Sequence, residues 1–313
     1  MYPRHLPAVL IVSLTCGAAA LAQSGVRWQS DAAGAMRQAQ QADKPLMLYV
    51  RTSTDDRSTL ERSQDRALRD PAVVELARAF TTARISTVRN RDLMEQLRIP
   101  ATADLSIYFR GPGGDDLGHA TPDVVGDATR LRGQMQAALR AYGQVVYRRL
   151  QPVLENEQAS SRDLAAALRT VQELRIKPAD AAVAAILQRA TLDAATRRNA
   201  LRALAALETK TAVTTLLELS LSEDRAISAG AAGELQRCRV PAAAPLLDVL
   251  SSGTPEQQVA AYQAIGRIVR ARGLKPASFW TTADEEARAT EFARLRGTAE
   301  DALRAWKEEH GDD

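Results

Sequence analysis

The chain contains few of the side chains on which covalent, redox or metal catalysis depends. Its 313 residues include 2 cysteines, Cys16 and Cys238, and 3 histidines. The two cysteines lie far apart, so they cannot form the CxxC pair of a thiol-disulfide enzyme. A zinc site needs clustered histidine and cysteine, and the sequence offers no such cluster. We therefore expect no metal, no cofactor and no catalytic residue, and we predict that the protein is not an enzyme.

Aromatic residues are also scarce, at 4% of the chain, and neither sign of charge dominates. Lys and Arg number 41, Asp and Glu number 38, and the two signs are interspersed throughout. A nucleic-acid-binding surface is typically a basic stretch interleaved with aromatic side chains. The sequence has no such stretch, so we expect no nucleic-acid partner.

Long apolar runs are absent except at the start of the chain. The segment from Leu6 to Ala22 is almost entirely apolar or small, and it follows the positive residues Arg4 and His5. This order is typical of a secretory signal peptide, here 1–22. An uncleaved anchor and a lipoprotein acylated at Cys16 are the alternatives. We expect export to a bacterial periplasm, without stable membrane insertion once the signal is cleaved.

The second half of the chain repeats with a period of about thirty residues. Three apolar pairs mark this period: Ile186-Leu187, Leu216-Leu217 and Leu246-Leu247. Ala-rich segments precede the pairs, and a small residue recurs in each of them at Ala200, Ala231 and Ala261. A fixed period of this length indicates stacked helical pairs, in which each unit covers the apolar face of the next. Such arrays usually hold partners.

Between Trp28 and Tyr142, segments typical of strands alternate with segments typical of helices. The run Leu46 to Val50 is continuously apolar, as expected of a strand buried on both faces. Asp70-Pro71 favours the start of a helix. The remaining predicted helices are 31–43, 58–68 and 91–97, and the remaining predicted strands are 82–88, 105–110 and 117–120. A long helix is predicted from about Asp123. The pattern indicates an α/β domain over 27–150.

This order of elements resembles the thioredoxin fold, particularly exported thioredoxin-like domains with Lys-Pro before the first central strand. The resemblance rests on Trp28, Lys44-Pro45, Leu46 to Val50, Leu60-Glu61, Asp70-Pro71 with Val73 and Val74, and Phe109 to Gly114. It implies a fold in which two cysteines lie at a helix N-terminus, facing a cis-proline. This chain departs from the family at both positions.

Thr54-Asp55-Asp56-Arg57 lies where the CxxC motif of that family is expected. None of these side chains can exchange disulfides, so redox catalysis is not expected. At the position of the cis-proline the ungapped match is Ala103 or Asp104. Pro100 lies several residues early, and it would reach that position only if the loop carries an insertion.

The repeats resemble HEAT-like repeats of the short, thirty-residue kind, over Ser161 to about Ile268. The resemblance rests on the Ala-rich first helices, the break at Val240-Pro241 and the apolar second helices. It implies an all-α HEAT-like solenoid over 161–270, which follows the α/β thioredoxin-like domain. The remaining segment, 271–313, is charged and is expected to cap the last apolar face.

Carboxylates and one histidine are the remaining candidates for chemistry. A carboxylate-based site at the junction of the domains would use Asp55, Asp56, Asp115, Asp116 or His119. The simpler interpretation is that the first pair caps a helix and the second pair lies in a Gly-rich turn. We favour that interpretation and assign no catalytic residue.

Three other features of the second half each have a structural and a functional interpretation. Cys238 ends a helical pattern and is expected to be a small buried hydrophobe, with a reactive thiol as the alternative. Four aromatic residues are expected in the core of the cap: Phe279, Trp280, Phe292 and Trp306. A basic stripe is expected on a solvated face, with an acidic partner as the alternative: Arg267, Arg270, Arg272 and Lys275.

The sequence as a whole favours a binding protein. An inactive thioredoxin-like domain beside helical repeats indicates an exported, non-catalytic interaction or scaffold module with a protein partner. Two alternatives stay open. One is an enzyme with the junction carboxylates, and the other is a redox-inactive chaperone that binds unfolded chains.

Overall fold

The computed structural model describes residues 25–51, 59–189 and 192–310. These residues divide into two compact units. The first unit comprises 25–108 with 120–132, and the second comprises 109–119 with 133–310. An α/β region is followed by a helical region, as the sequence predicts at that level of detail.

The α/β region alternates helices and strands close to the predicted positions. Its helices are α1 (Ala32–Ala42), α2 (Thr59–Ala67), α3 (Pro71–Ala77), α4 (Arg91–Gln96) and α5 (Pro122–Val125). Its strands are β1 (Leu46–Arg51), β2 (Thr81–Ser86), β3 (Ser106–Arg110) and β4 (Asp116–Ala120). The long helix predicted from Asp123 is interrupted at Gly126, and it continues as α6 (Ala128–Leu154).

The strands form one mixed sheet in the order β2-β1-β3-β4. β1 and β2 are parallel, in register from Leu46 opposite Thr81 to Arg51 opposite Ser86. Every residue of β1 from Leu46 to Val50 is buried, which confirms a strand covered on both faces. Gln29 bridges to Ala83 on the outer side of β2.

Small side chains let α1 approach the sheet closely. Ala32, Ala35 and Ala39 line its buried face and pack with Leu48 and Val50 of β1. The Asp31 side chain accepts the backbone N–H of Gly34, which caps the start of the helix. Asp70 caps α3 in the same way, as Asp70-Pro71 predicts.

The described residues contain no cis peptide bond. Pro100 is therefore trans, and its carbonyl accepts the N–H of Ala103 in a turn. Leu105, immediately before β3, takes a left-handed conformation with φ of 49°. Of the residues considered for a cis-proline, Pro100, Ala103 and Asp104, none occupies a cis peptide.

The helical region consists of consecutive helices that pack on their neighbours. They are α7 (Ser161–Leu174), α8 (Asp180–Leu187), α9 (Ala194–Leu207), α10 (Lys210–Ser220), α11 (Arg225–Leu235), α12 (Ala243–Ser252), α13 (Pro255–Ile268), α14 (Ala277–Thr282) and α15 (Glu285–His310). Short 3₁₀ turns, each with a central proline, precede α8 at Lys177–Ala179 and α12 at Val240–Ala242.

Polar N-caps mark where each first helix of a pair begins. Ser160, Asp193, Asp224 and Thr254 each accept backbone N–H groups of the first turn. Their positions give successive spacings of 33, 31 and 30 residues. The helical pairs therefore recur at nearly, but not strictly, thirty residues.

The small residues predicted at the close approaches of the first helices are fully buried. Ala200, Ala231 and Ala261 each have 0% exposure. In the second helices, the caps align Val183 with Leu216 and Leu246, all of them fully buried. The pair Ile186-Leu187 is thus one helical turn away from the position that a strict period gives it, although both residues are buried.

The aromatic residues of the C-terminal segment pack as a cluster, as predicted. Trp280 is buried, with its ring 4.6 Å from that of Tyr262 and 4.9 Å from that of Phe292. Phe279 packs edge-on against Trp280. The Tyr262 hydroxyl donates to Glu291 and accepts the backbone N–H of Lys275. Across the ranges described, no helix combines the length and the apolar content that crossing a bilayer requires.

Candidate binding site

The segment expected to replace the CxxC motif, Thr54-Asp55-Asp56-Arg57, lies outside the described residues. The elements on either side of it are held by paired polar groups. Arg51, the last residue of β1, forms an ion pair and hydrogen bond with Glu61 of α2. The side chain of Glu61 is 10% exposed, so this carboxylate is largely removed from water.

A second polar contact joins β1 to α2. The Tyr49 hydroxyl donates to Oε1 of Gln64 over 2.6 Å, and Gln64 Nε2 donates to the carbonyls of Leu105 and Pro122, both at 2.9 Å. Gln64 is fully buried, and burial raises the pKa of Tyr49 to about 12. The three hydrogen bonds satisfy the side chain of Gln64 and leave a proton on Tyr49 at neutral pH. This network has a structural role.

The Gly-rich turn holds its acidic residues in structural contacts. The carbonyl of Asp115 accepts the N–H of Gly111 over 2.8 Å and closes the turn. Oδ1 of Asp116 accepts from the nearly buried Arg110 guanidinium over 2.6 Å and from the Gly118 N–H over 2.9 Å. His119 is exposed. Within the described ranges, no three His, Cys, Asp or Glu side chains group in a way that could hold a metal ion.

Cys238 is buried, as predicted, with 6% exposure. Its Sγ lies 3.6 Å from the carbonyl oxygen of Ala205 and 3.7 Å from that of Glu234. Burial, reinforced by the negative charges of Glu208 and Glu234, raises the pKa of the thiol to about 12. The reactive thiolate is therefore not available at neutral pH.

A groove in the second unit is lined by cations and apolar side chains together. It encloses about 260 Å³ between α6, the end of α7 and the 3₁₀ turn that follows it. Its cationic residues are Arg140, Arg175, Lys177 and Arg239, and its apolar residues include Leu139, Leu174, Ile176 and Pro178. No acidic residue lines it. We call it the basic groove.

The end of α7 positions three of these residues. Arg175 is the C-cap, in a left-handed conformation with φ of 48°, and it reverses the chain direction at the helix end. The next residue, Ile176, is 1% exposed and anchors the turn in the core. Lys177 and Pro178 then open the 3₁₀ turn. Arg175 and Lys177 thus flank a buried anchor and are themselves exposed.

Arg239 is fixed from two sides. Its Nε lies 3.0 Å from both carboxylate oxygens of Glu208, and its Nη2 lies 2.6 Å from Oε2 of Glu208. Its guanidinium carbon lies 5.2 Å from the ring centre of Trp306 on α15. Nη1 of Arg239 has no hydrogen-bond partner among the residues that the structure describes. The C-terminal helix therefore helps to order one wall of the basic groove.

The other three cations differ from Arg239. Arg140, Arg175 and Lys177 are exposed, and in the described part of the chain none of them has an ion pair or a side-chain hydrogen bond. The sequence gave no warning of this cluster, because Arg140 is 35 positions from Arg175 and the basic stripe that it did suggest lies elsewhere. Of that stripe, Arg267 donates to Gln236 over 2.7 Å.

The first unit has a larger concavity of about 810 Å³. Its polar side chains include Asp70, which caps α3, and Ser63, which donates to the carbonyl of Leu60. Because these groups already serve the helices, we consider the basic groove the better candidate for a binding site.

Comparison of the chain with protein-family models, with curated proteins and with solved structures gave no match. The function has to be inferred from the residues and their geometry alone.

Proposed function

We propose that the protein is an exported, non-catalytic interaction module that binds a partner protein through the basic groove. In this proposal the α/β region is a thioredoxin-like domain without its cysteines, and the helical region is a HEAT-like solenoid. The signal peptide 1–22 would deliver the chain to the periplasm.

The observation that carries this proposal is the state of the cations in the basic groove. Arg140, Arg175 and Lys177 point to no carboxylate of the described chain, although Asp and Glu are abundant in the sequence. Leu174, beside them, is 38% exposed. Exposed charge next to exposed apolar surface is typical of a site that a partner covers.

The catalytic alternative has less support. Of its proposed residues, Asp116 is held by Arg110 and Gly118, and Asp115 closes a turn. The thiol of Cys238 is buried and protonated. These groups serve the fold, so a partner rather than a substrate is the better-supported ligand.

The interaction can be tested by photocrosslinking in the bacterium that makes the protein. A benzophenone amino acid at Gln144, an exposed residue that lines the basic groove, should capture a specific protein. The same amino acid at Glu95, an exposed residue of α4, is the matched control. Capture at Gln144 should disappear when Arg140, Arg175 and Lys177 are all replaced by Gln. Capture that persists in that variant would contradict the proposal.

Export can be tested separately by fractionation and by N-terminal sequencing of the protein from its host. We expect a periplasmic chain whose first residue is Gln23. A chain that keeps Met1 to Ala22 in the membrane fraction would support the anchor instead. A cytoplasmic chain would exclude export.

A further inference from the structure

Apolar and cationic side chains alternate along the wall of the basic groove. The segment Leu174-Arg175-Ile176-Lys177-Pro178 is apolar at every odd position and basic at every even one, and all five residues line the groove. Leu139 and Arg140 repeat the arrangement on α6. A ligand that matches this wall needs negative charges on both sides of an apolar group.

We propose that the basic groove binds an acidic segment of the partner protein, with one apolar side chain against Leu174 between carboxylates that pair with Arg140, Arg175 and Lys177. This inference rests on the proposed function and specifies its partner. Charge complementarity selects the occupant, because the lining holds four cations and no acidic residue.

The size of the groove fits a peptide segment better than an enclosed small molecule. Pockets that enclose a drug-sized ligand usually measure about 300–1,000 Å³. The basic groove, at about 260 Å³, is smaller. It can accept an apolar side chain and its flanking carboxylates, while the rest of the segment lies on the surface.

Arg239 supplies the rigid part of the site. Its contacts with Glu208 and Trp306 fix the guanidinium plane, so its remaining Nη1 donor needs little ordering when a carboxylate arrives. Glu208 offsets its charge. The net attraction for an acidic segment therefore comes from the other three cations, which the described chain does not neutralise.

Two other anionic ligands suit the groove less well. Single-stranded nucleic acid is usually held by aromatic side chains on which bases stack, and no aromatic residue lines the basic groove. Anionic membranes usually bind amphipathic helices that lie flat on the surface, whereas these cations line a concave site. An acidic peptide is the ligand class that matches both the charges and the shape.

The inference can be tested by fluorescence anisotropy with three labelled peptides and the purified protein. The first peptide carries a central Leu between two Glu on each side. The second has Gln in place of every Glu, and the third has Ala in place of Leu. We expect binding of the first peptide to weaken about tenfold with Gln and several-fold with Ala, because each exposed charge pair contributes modestly.

Protein variants locate the binding site. The triple variant Arg140→Gln, Arg175→Gln, Lys177→Gln should weaken binding of the first peptide about tenfold. The control triple variant Arg162→Gln, Arg169→Gln, Arg198→Gln changes the net charge equally at exposed positions away from the groove, and it should bind as the wild type does. Leu174→Ser should weaken the Leu peptide and leave the Ala peptide unchanged. Circular dichroism checks that each variant is folded.

Three results would overturn the inference. They are equal binding of the Glu and Gln peptides, equal losses in the two triple variants, and tighter binding of an RNA oligonucleotide or of anionic lipid vesicles at the same site. If the peptides fail but a crosslink at Gln144 depends on the groove cations, the partner is not an acidic segment and the proposed function stands. If both fail, the proposed function falls as well.

Discussion

The end of β1 and the basic groove use cationic side chains in opposite ways. At the end of β1, Arg51 is partly buried and contacts Glu61, whose carboxylate is nearly removed from water. In the groove, Arg175 and Lys177 are exposed and have no carboxylate partner in the described chain. Each region lies within its own unit.

The difference between these regions reflects the cost of removing charge from water. A buried charge is costly unless a partner compensates it, so a paired and buried Arg is part of the fold. An exposed charge costs little, so the fold does not require it to be paired. Replacing members of the two sets should therefore give effects of very different size.

The largest effect is expected for Gln64→Ala in the first unit. This change leaves the buried carbonyls of Leu105 and Pro122 without a donor and the Tyr49 hydroxyl without an acceptor. We expect a loss of about 3 kcal/mol, since each unsatisfied buried group costs about 1–3 kcal/mol. Hydrogen exchange with mass spectrometry measures it, as faster exchange in β1 and α2.

Gln40→Ala is the matched control, because Gln40 is exposed on α1. It should leave exchange in the first unit unchanged. If the two variants behave alike, the buried network around Gln64 does not stabilise this unit.

A smaller loss, about 2 kcal/mol, is expected for Glu208→Gln in the second unit. The carboxylate accepts from the backbone N–H, Nε and Nη2 of Arg239, and hydrogen bonds to charged groups contribute about 1.5–3 kcal/mol. Hydrogen exchange in α9 and α10 measures the loss. Glu218→Gln, at an exposed position of α10, should have no effect. Equal exchange in the two variants would mean that Arg239 gains no stability from its partner.

An effect of about 1 kcal/mol or less is expected from Glu291 on α15, and it should depend on pH. Hydrogen bonding to Arg294 holds the pKa of Glu291 below its ordinary value. The carboxylate therefore stabilises the fold above the unfolded pKa, about 4.3, and this contribution is lost as pH falls through the lower folded pKa. Unfolding measured from pH 6 to pH 3 should show a shallower loss in Glu291→Gln.

The exposed Glu286 of the same helix provides the control. Glu286→Gln should retain the pH dependence of the wild type. An unchanged slope in Glu291→Gln would show that the contacts with Tyr262 and Arg294 do not respond to this titration.

The sequence predicted elements well where a single physical signal determines them. The continuous apolar run Leu46–Val50 forms a strand buried on both faces, and Asp70-Pro71 begins a helix. The Ala-rich first helices align at Ala200, Ala231 and Ala261 as expected, because only a small residue fits at those buried positions. These signals are local, so no knowledge of tertiary contacts was needed.

Register and surface could not be predicted in the same way. Buried residues recur at every helical turn, so Val183 and Ile186 are both buried and the apolar pattern alone cannot select between them. The connection from α8 to α9 is also longer than that from α10 to α11, which stretches the first period to 33 residues. The basic groove joins residues from distant segments, and its exposed cations look like any solvated surface in the sequence.

The smallest effect on stability is expected from the cations of the basic groove. The triple variant Arg140→Gln, Arg175→Gln, Lys177→Gln removes three exposed charges that have no partner in the described chain. Substitutions of this kind usually change the free energy of unfolding by less than about 0.5 kcal/mol each. We expect hydrogen exchange in α6, α7 and α8 to match that of the wild type.

A paired cation provides the contrast that gives this result its meaning. Arg110 is 3% exposed, and it donates to Asp116 and to the carbonyl of Phe109. Arg110→Gln should cost about 2 kcal/mol, because it leaves buried acceptors unsatisfied. If the groove variant lost as much stability as Arg110→Gln, its cations would serve the fold. They would then no longer be evidence for a partner.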